Sequence, residues 1–336
     1  MSNEQKGSIL ESHKPNKIRI ILAFLTIYLI WGSTYIAIKF ALESFPPFLM
    51  GASRFFTAGI LMCGWMLFRG AALPKRSHIL PTLTLGCLLL VVGSMGVVLA
   101  EKTVPSGMVS LLVAMVPVFI VLLQWLKPQG IKPTKRVILG LITGVSGLVF
   151  LIEPQKFAGA ESIDLVGVSF VLLGCLGSAA GAIYSRSAHL PDSQQLAAGM
   201  EMLFAGLVLF ICSACAGEFN PSALAQLHIS LVSGLSWLYL MVFGSMLAFS
   251  VYIWLLKQVN PAHVSTYAYV NPVVAIFLGW WLAGETISMQ TFIGAGVILA
   301  AVWLITQSGP KPEPALALAG DATALEACAL QSDSSS

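Results

Sequence analysis

The chain has 336 residues, of which 57% are hydrophobic and only 10% charged. Soluble globular domains carry about 25% charge, so composition excludes a soluble cytosolic enzyme and leaves a polytopic helical membrane protein. The net charge of +3, from 18 Lys and Arg against 15 Asp and Glu, is too small to point to nucleic acid. Strand-length runs alternating polar and apolar residues are missing, which excludes a β-barrel.

Residues 1–19 are polar and basic and form an N-terminal tail. The apolar run that follows lacks a small-residue cleavage site, so it is kept as a mature span. A span needs about 20 residues to cross hydrocarbon. Spans are predicted near 20–40, 48–68, 79–99, 104–126, 137–152, 165–185, 196–215, 235–256, 262–282 and 289–306. The Pro-, Ala- and Ser-rich tail, 307–336, has no apolar period and is expected to be disordered. With both ends in the cytoplasm, fourteen Lys and Arg fall inside: Lys6, Lys14, Lys17, Arg19, Arg69, Lys75, Arg76, Lys127, Lys132, Lys135, Arg136, Arg186, Lys257 and Lys311. Only Lys102 and Lys156 fall outside. That bias sets the orientation.

The two halves repeat. Arg54-x-x-x-Ala58-Gly59 matches Glu201-x-x-x-Ala205-Gly206, and Gly93-Ser94-Met95 matches Gly244-Ser245-Met246. Val109-Ser110 with Pro117 matches Val264-Ser265 with Pro272, and Gly140 matches Gly294. The displacement is five spans. Because five is odd, the second copy enters from the opposite side. The expected fold is therefore all-α, with ten transmembrane helices as two inverted five-helix repeats over 20–152 and 165–306. Inverted repeats underlie alternating access in many secondary transporters.

Little points to catalysis. There is no phosphate-binding glycine loop ending in Lys-Ser/Thr. The five histidines lie in loops or at span ends, and no Ser/His/Asp set or metal-spaced cluster occurs in a span. Cys63, Cys87, Cys175, Cys212 and Cys215 lie in apolar stretches and Cys328 in the tail, so no disulfide is expected. Neither a cofactor nor a metal is expected, and the chain reads as a non-enzyme.

Charges in the bilayer are the sharpest signal, each costing at least about 2.5–3.5 kcal/mol at the centre. Lys39, near the outer end of span 1, reads equally as a snorkelling side chain or as part of an outer vestibule. Arg54 lies roughly 9 Å into span 2 and reads as a substrate-carboxylate contact or a packing charge. Glu201, in span 7, is the one acid well inside a span. Its neutral form is the cheaper one in lipid, so it reads as a proton-coupling group or a structural acid. The two lie at different depths, about 10–15 Å apart along the normal, which argues against a salt bridge between them.

Pro117 and Pro272 each remove a backbone donor, freeing the carbonyls of Val113 and Ala268. In span 9, Ser265, Thr266, Tyr267, Tyr269 and Asn271 crowd polar and aromatic groups beside Pro272, as a cavity wall requires. Trp31, Tyr35 and Tyr184 add aromatics on spans 1 and 6, while Trp280 and Trp281 read as interface anchors.

WGSTYIAIKFALESFPP at 31–47, ASRFFTAGILM at 52–62 and NPAHVSTYAYVNPVVAIFLGWWLAGETI at 260–287 resemble EamA-type permeases of the drug/metabolite transporter superfamily. The EML-x-AG and YAYVNPVVA patterns resemble its YedA-like exporters. The likeness covers about 20–306. It implies a central cavity between two EamA repeats, a bacterial inner membrane, and export of small organic solutes such as amino acids or drugs. It also puts Trp31, Gly32, Arg54, Asn271, Pro272 and Glu285 at family-motif positions, with Glu285 expected to cap span 10. Val116 and Leu112 stand where Asn271 and Tyr267 do in the other half, so the two cavity walls differ.

The function expected is secondary export of small amphipathic metabolites, by proton antiport. A passive facilitator of the same fold and a ligand-binding membrane subunit are the alternatives. Candidate substrate contacts are Trp31, Tyr35, Arg54, Ser265, Tyr267, Tyr269 and Asn271, with Glu201 for the proton and Pro117, Pro272 and Glu285 structural. The partners expected are a small-molecule substrate and the lipid bilayer, with a homodimer as the candidate assembly.

Overall fold

A computed structural model describes residues 17–126, 134–152, 164–220, 227–259, 267–285 and 289–306. They are helical: α1 Lys17–Leu42, α2 Pro47–Phe68, α3 Arg76–Ala100, α4 Ser106–Leu126, α5 Lys135–Ile152, α6 Leu165–Tyr184 and α7 Gln194–Cys215 come first. Next is α8, built of Leu231–Tyr239, Leu240–Leu247 and Ala248–Gln258, followed by α9 Tyr267–Ala283 and α10 Met289–Thr306. Among the described residues, 7 helices are long and apolar enough to cross a membrane. Helix is the expected answer in lipid, because each backbone polar group must be satisfied inside its own segment.

The caps explain where helices start. Pro47 opens α2 at a position where its missing N–H is no loss. Ser193 accepts from Leu196 N–H, Ser230 from Ser233 N–H and Asp164 from Val166 N–H, starting α7, α8 and α6. Ser230 carries α8 four residues earlier than the apolar run suggested. The start of the predicted ninth span lies outside the described residues.

Two helices are irregular in the same way. Cys87–Ser94 in α3 and Leu240–Leu247 in α8 are π-helical, and each contains the Gly-Ser of a repeated Gly-Ser-Met triplet. Pro117 does more than kink α4. The helix stops at Val113, turns through Ala114 and Met115, and restarts at Val116. Pro272 is tolerated within α9, where its missing donor falls opposite Ala268 in the first described turn.

Packing pairs α2 with α7, α5 with α10, α4 with α9, α1 with α8 and α9, and α6 with α3 and α4. The tightest of these is α2 on α7. A Cβ on Gly59 would collide with the Leu203 backbone, and one on Gly206 with the Phe56 backbone. Small residues are what let membrane helices approach this closely. By contrast, Gly64, on the same α2, has nothing within 4 Å of its missing Cβ.

That contrast fixes the sign of three substitutions. Gly59→Ala and Gly206→Ala are expected to lower stability by about 1–3 kcal/mol, the usual cost of overpacking. Gly64→Ala should instead be neutral or stabilising, since alanine is the better helix former by about 1 kcal/mol. Thermal unfolding of the detergent-solubilised variants reads the difference.

Candidate functional site

An aromatic cluster sits where α1, α8 and α9 meet. The Trp31 ring lies 5.1 Å from Tyr252 and 4.9 Å from Tyr267, and those two tyrosines are 6.0 Å apart between centroids. The indole N–H of Trp31 donates to the Gly244 carbonyl at 3.3 Å. Arg54, buried on α2, reaches the same segment, its Nε donating to Ser245 Oγ at 2.9 Å. Two donors from different helices thus converge on the π-helical part of α8. π-Helical turns recur at functional sites, because they take backbone groups out of the regular ladder.

The candidates named from sequence are distributed around this cluster. Trp31 and Tyr267 form it, and Arg54 braces its α8 wall. Tyr35 is one helical turn along from Trp31, in a buried patch with Leu112, Cys175 and Ala275. Asn271 is buried, and its Oδ1 has no hydrogen-bond partner among the described residues. Ser265 and the side chain of Tyr269 lie outside the described residues. Glu201 is buried on α7, where its backbone carbonyl faces Gly86 of α3. Among the described residues no ion pair joins it to Arg54. Tyr252 and Ser245 were not among the site residues named from sequence. The repeated Gly-Ser-Met triplet was the signal that could have found Ser245.

The two ends of the bundle differ in charge. Among the described residues one carries Lys17, Arg19, Arg69, Lys75, Arg76, Lys135, Arg136 and Arg186 with Asp192; the other carries Glu43, Glu101, Asp164, Glu218 and Glu285 with Lys39 and Lys102. At the acidic end a carboxylate ties three segments together. Lys39 Nζ donates to Glu285 Oε1 at 2.7 Å. Ser106 donates its N–H and its Oγ–H to the same carboxylate, each at 3.0 Å. Glu285 therefore caps α4; the sequence put it at the head of α10, where residues 286–288 lie outside the described residues. The chain turns at Gly284 with φ +64°, which glycine tolerates. Gly279 leaves the space that the carboxylate fills. Burial pushes Glu285 up, but the bonds from Lys39 and Ser106 outweigh it and hold the group below the ordinary carboxylate value. Lys39 is thus a paired cation at the acidic end. Glu218 acts similarly on α2, accepting from Leu49 N–H at 2.7 Å and from Phe48 N–H at 3.2 Å.

Glu101 follows α3 at this end. It is 6% exposed, and neither carboxyl oxygen has a hydrogen-bond partner among the described residues. Burial, and then the charge of Glu285, raise it well above the ordinary carboxylate range, with Lys39 opposing. At the basic end a groove of about 600 Å³ opens between α2, α7 and α8, lined by Met62, Trp65, Arg69, Gln195, Met246 and Ser250. Its size is that of a small-molecule site. Among the described residues no group of three or more His, Cys, Asp or Glu could hold a metal ion.

The orphaned Asn271 oxygen yields a stability prediction. Removing an unsatisfied buried acceptor relieves a penalty of about 1–3 kcal/mol, so Asn271→Ala should leave the thermal midpoint unchanged or raise it. Trp31→Ala loses two ring contacts and a hydrogen bond, and should cost about 3–5 kcal/mol. Thermal unfolding of the purified protein checks both.

Comparison with known proteins agrees with this architecture. The chain is 40% identical over 285 residues to the inner membrane transporter YedA of Escherichia coli (strain K12), covering 84% of this chain and 89% of that protein. It is 24% identical over 300 residues to the transporter YoaV of Bacillus subtilis (strain 168), covering 86% and 97%. One solved crystal structure shares the fold with TM-score 0.59 and 19% identity, covering 86% of this chain and 96% of that one. Residues 18–153 and 165–307 each match the EamA-like transporter family. With two such matches spanning most of its length, the chain belongs to the EamA-like transporter family.

Proposed function

We propose that the protein is a secondary active exporter of small amphipathic metabolites, amino acids and drugs among them, working by proton antiport across a bacterial inner membrane. In this reading ten transmembrane helices form two inverted five-helix repeats, with both termini in the cytoplasm. The observation that carries it is the asymmetry of the two ends. The acidic end is closed by Lys39, Glu285 and the head of α4, while a groove of about 600 Å³ opens at the basic end. A bridged acidic end and a groove at the basic end are what one state of an alternating-access cycle would present.

Support for the inverted repeat comes from packing. Exchanging α1–α5 with α6–α10 turns the α1–α9 pair into α6–α4 and the α3–α6 pair into α8–α1, and all four pairs occur. The exchange also maps Gly59 against Leu203 onto Gly206 against Phe56, both at the offset of 147. Arg54 and Glu201 are equivalent under it. Support for the orientation comes from the basic end, since cytoplasmic loops collect Lys and Arg. After replacement of the native cysteines, an impermeant thiol reagent added outside intact cells should label a cysteine at Lys102 and miss one at Arg76. The reverse would overturn the orientation.

Glu201 is the acid this reading assigns to coupling, because it is buried on a helix of the tight α2–α7 pair and can hold a proton without a counter-charge. Glu201→Gln copies the protonated form in shape. In proteoliposomes it should abolish uphill, pH-driven flux while leaving downhill exchange. An export profile of overexpressing and deleted cells supplies the substrates for that assay. A Gln variant that concentrates substrate as the parent does would leave Glu201 a structural acid.

A further inference from the structure

The acidic-end seal contains a carboxyl group that its ion pair does not use. Glu101 stands directly after α3, with a backbone N–H that returns to the Val97 carbonyl at 3.0 Å. Its side chain is more than nine-tenths buried, and both oxygens lack a hydrogen-bond partner among the described residues. An ionised carboxylate there would be desolvated and unpaired, which is the costliest arrangement a buried acid can have. The cation within reach, Lys39, is already committed to Glu285 at 2.7 Å. Glu285 also holds the head of α4, so Lys39 is taken by the acid with more bonds to offer.

Among the described residues the other cation at this end, Lys102, is exposed, and the groups facing Glu101 bring no free positive charge. From α1 come Tyr35 and Lys39, and from the segment after α9 comes Glu285. The head of α4 offers Ser106, whose donors both point to Glu285. From α6 come Cys175, beside Tyr35, and Asp164, which accepts from Thr103 and from Val166 N–H at the head of its own helix. The charged side chain of α2, Arg54, is engaged with Ser245 on α8.

We propose that Glu101 is the proton-binding group of the acidic-end seal, protonated while Lys39, Glu285 and the head of α4 are closed over it and ionised when they part. The proton balance is simple. On opening, water reaches the carboxyl group, its O–H bond breaks, and the proton passes to the aqueous phase at the acidic end. The carboxylate left behind is stabilised by water and by Lys39, which the opening frees from Glu285. Closing takes the proton back. The closed state therefore binds one proton more than the open one, and its share of the population falls as pH rises through the Glu101 titration. This inference rests on the alternating-access reading above, but it concerns the seal and not the energy source. It holds whether or not Glu201 couples transport to a proton gradient.

The test measures the seal directly. Spin labels are placed at exposed positions of the acidic end, Lys102→Cys after α3 and Leu282→Cys on α9, with the native cysteines replaced. Distance distributions are recorded by pulsed electron resonance in lipid nanodiscs between pH 5 and 9. In the parent, a short closed distance should dominate at low pH and a longer one grow as pH rises, the ratio changing by up to about tenfold per pH unit. Glu101→Gln, locked in the protonated shape, should keep the closed distance across the range. Glu101→Asp should restore the pH response with a shifted midpoint, which separates titration from a folding defect. A Gln variant that opens with pH as the parent does would overturn the proposal, and so would a parent whose two distances coexist in a pH-independent ratio. A single distance in every condition, with substrate present or absent, would overturn the alternating-access reading together with it.

Discussion

The close approach of α2 and α7 is the constraint around which the helices are arranged. Gly59 meets the Leu203 backbone, and Gly206 meets the Phe56 backbone. With lipid on one side and protein on the other, hydrophobicity gives helices little reason to associate, and van der Waals packing at small residues takes its place. Arg54 and Glu201 each lie five residues before the glycine of their own helix, about 140° around it, and both are buried against other neighbours. Arg54 then reaches α8 and Glu201 lies against α3, so the two charges are held by different walls.

The centre and the acidic end are held by different chemistry. At the centre, rings from α1, α8 and α9 pack edge-on and tilted, and two donors meet the π-helical part of α8. Such a wall is apolar in area and polar at a few fixed points, as small-molecule sites are. At the acidic end, carboxylates from one segment cap helices from another, Glu285 on α4 and Glu218 on α2. A capping carboxylate interacts with the helix dipole and with unsatisfied N–H groups at once. It also makes the contact breakable as a unit, since the α4 cap and the Lys39 pair share the Glu285 carboxylate.

The helical class, the approximate spans and the resemblance to a transporter family could be read from the residues, because hydrocarbon admits few backbone solutions and rewards long apolar runs. The repeat was legible too, as short matches such as Gly93-Ser94-Met95 with Gly244-Ser245-Met246, and so were Trp31 and Tyr267 as separate aromatic candidates, though not their contact. The partners of the charged groups were not. Glu285 looked like a cap for the helix next to it in sequence, and only the turn at Gly284 and the notch at Gly279 carry it to α4. Lys39 showed no counter-ion because its partner is 246 residues away. Glu101 passed as a loop residue because it follows the last apolar turn of α3, and its burial comes from segments the sequence does not place beside it. Apolar periodicity is a property of one helix and can be read along the chain. The pairing and desolvation of a charge depend on which other helices close over it, and tertiary structure alone decides that.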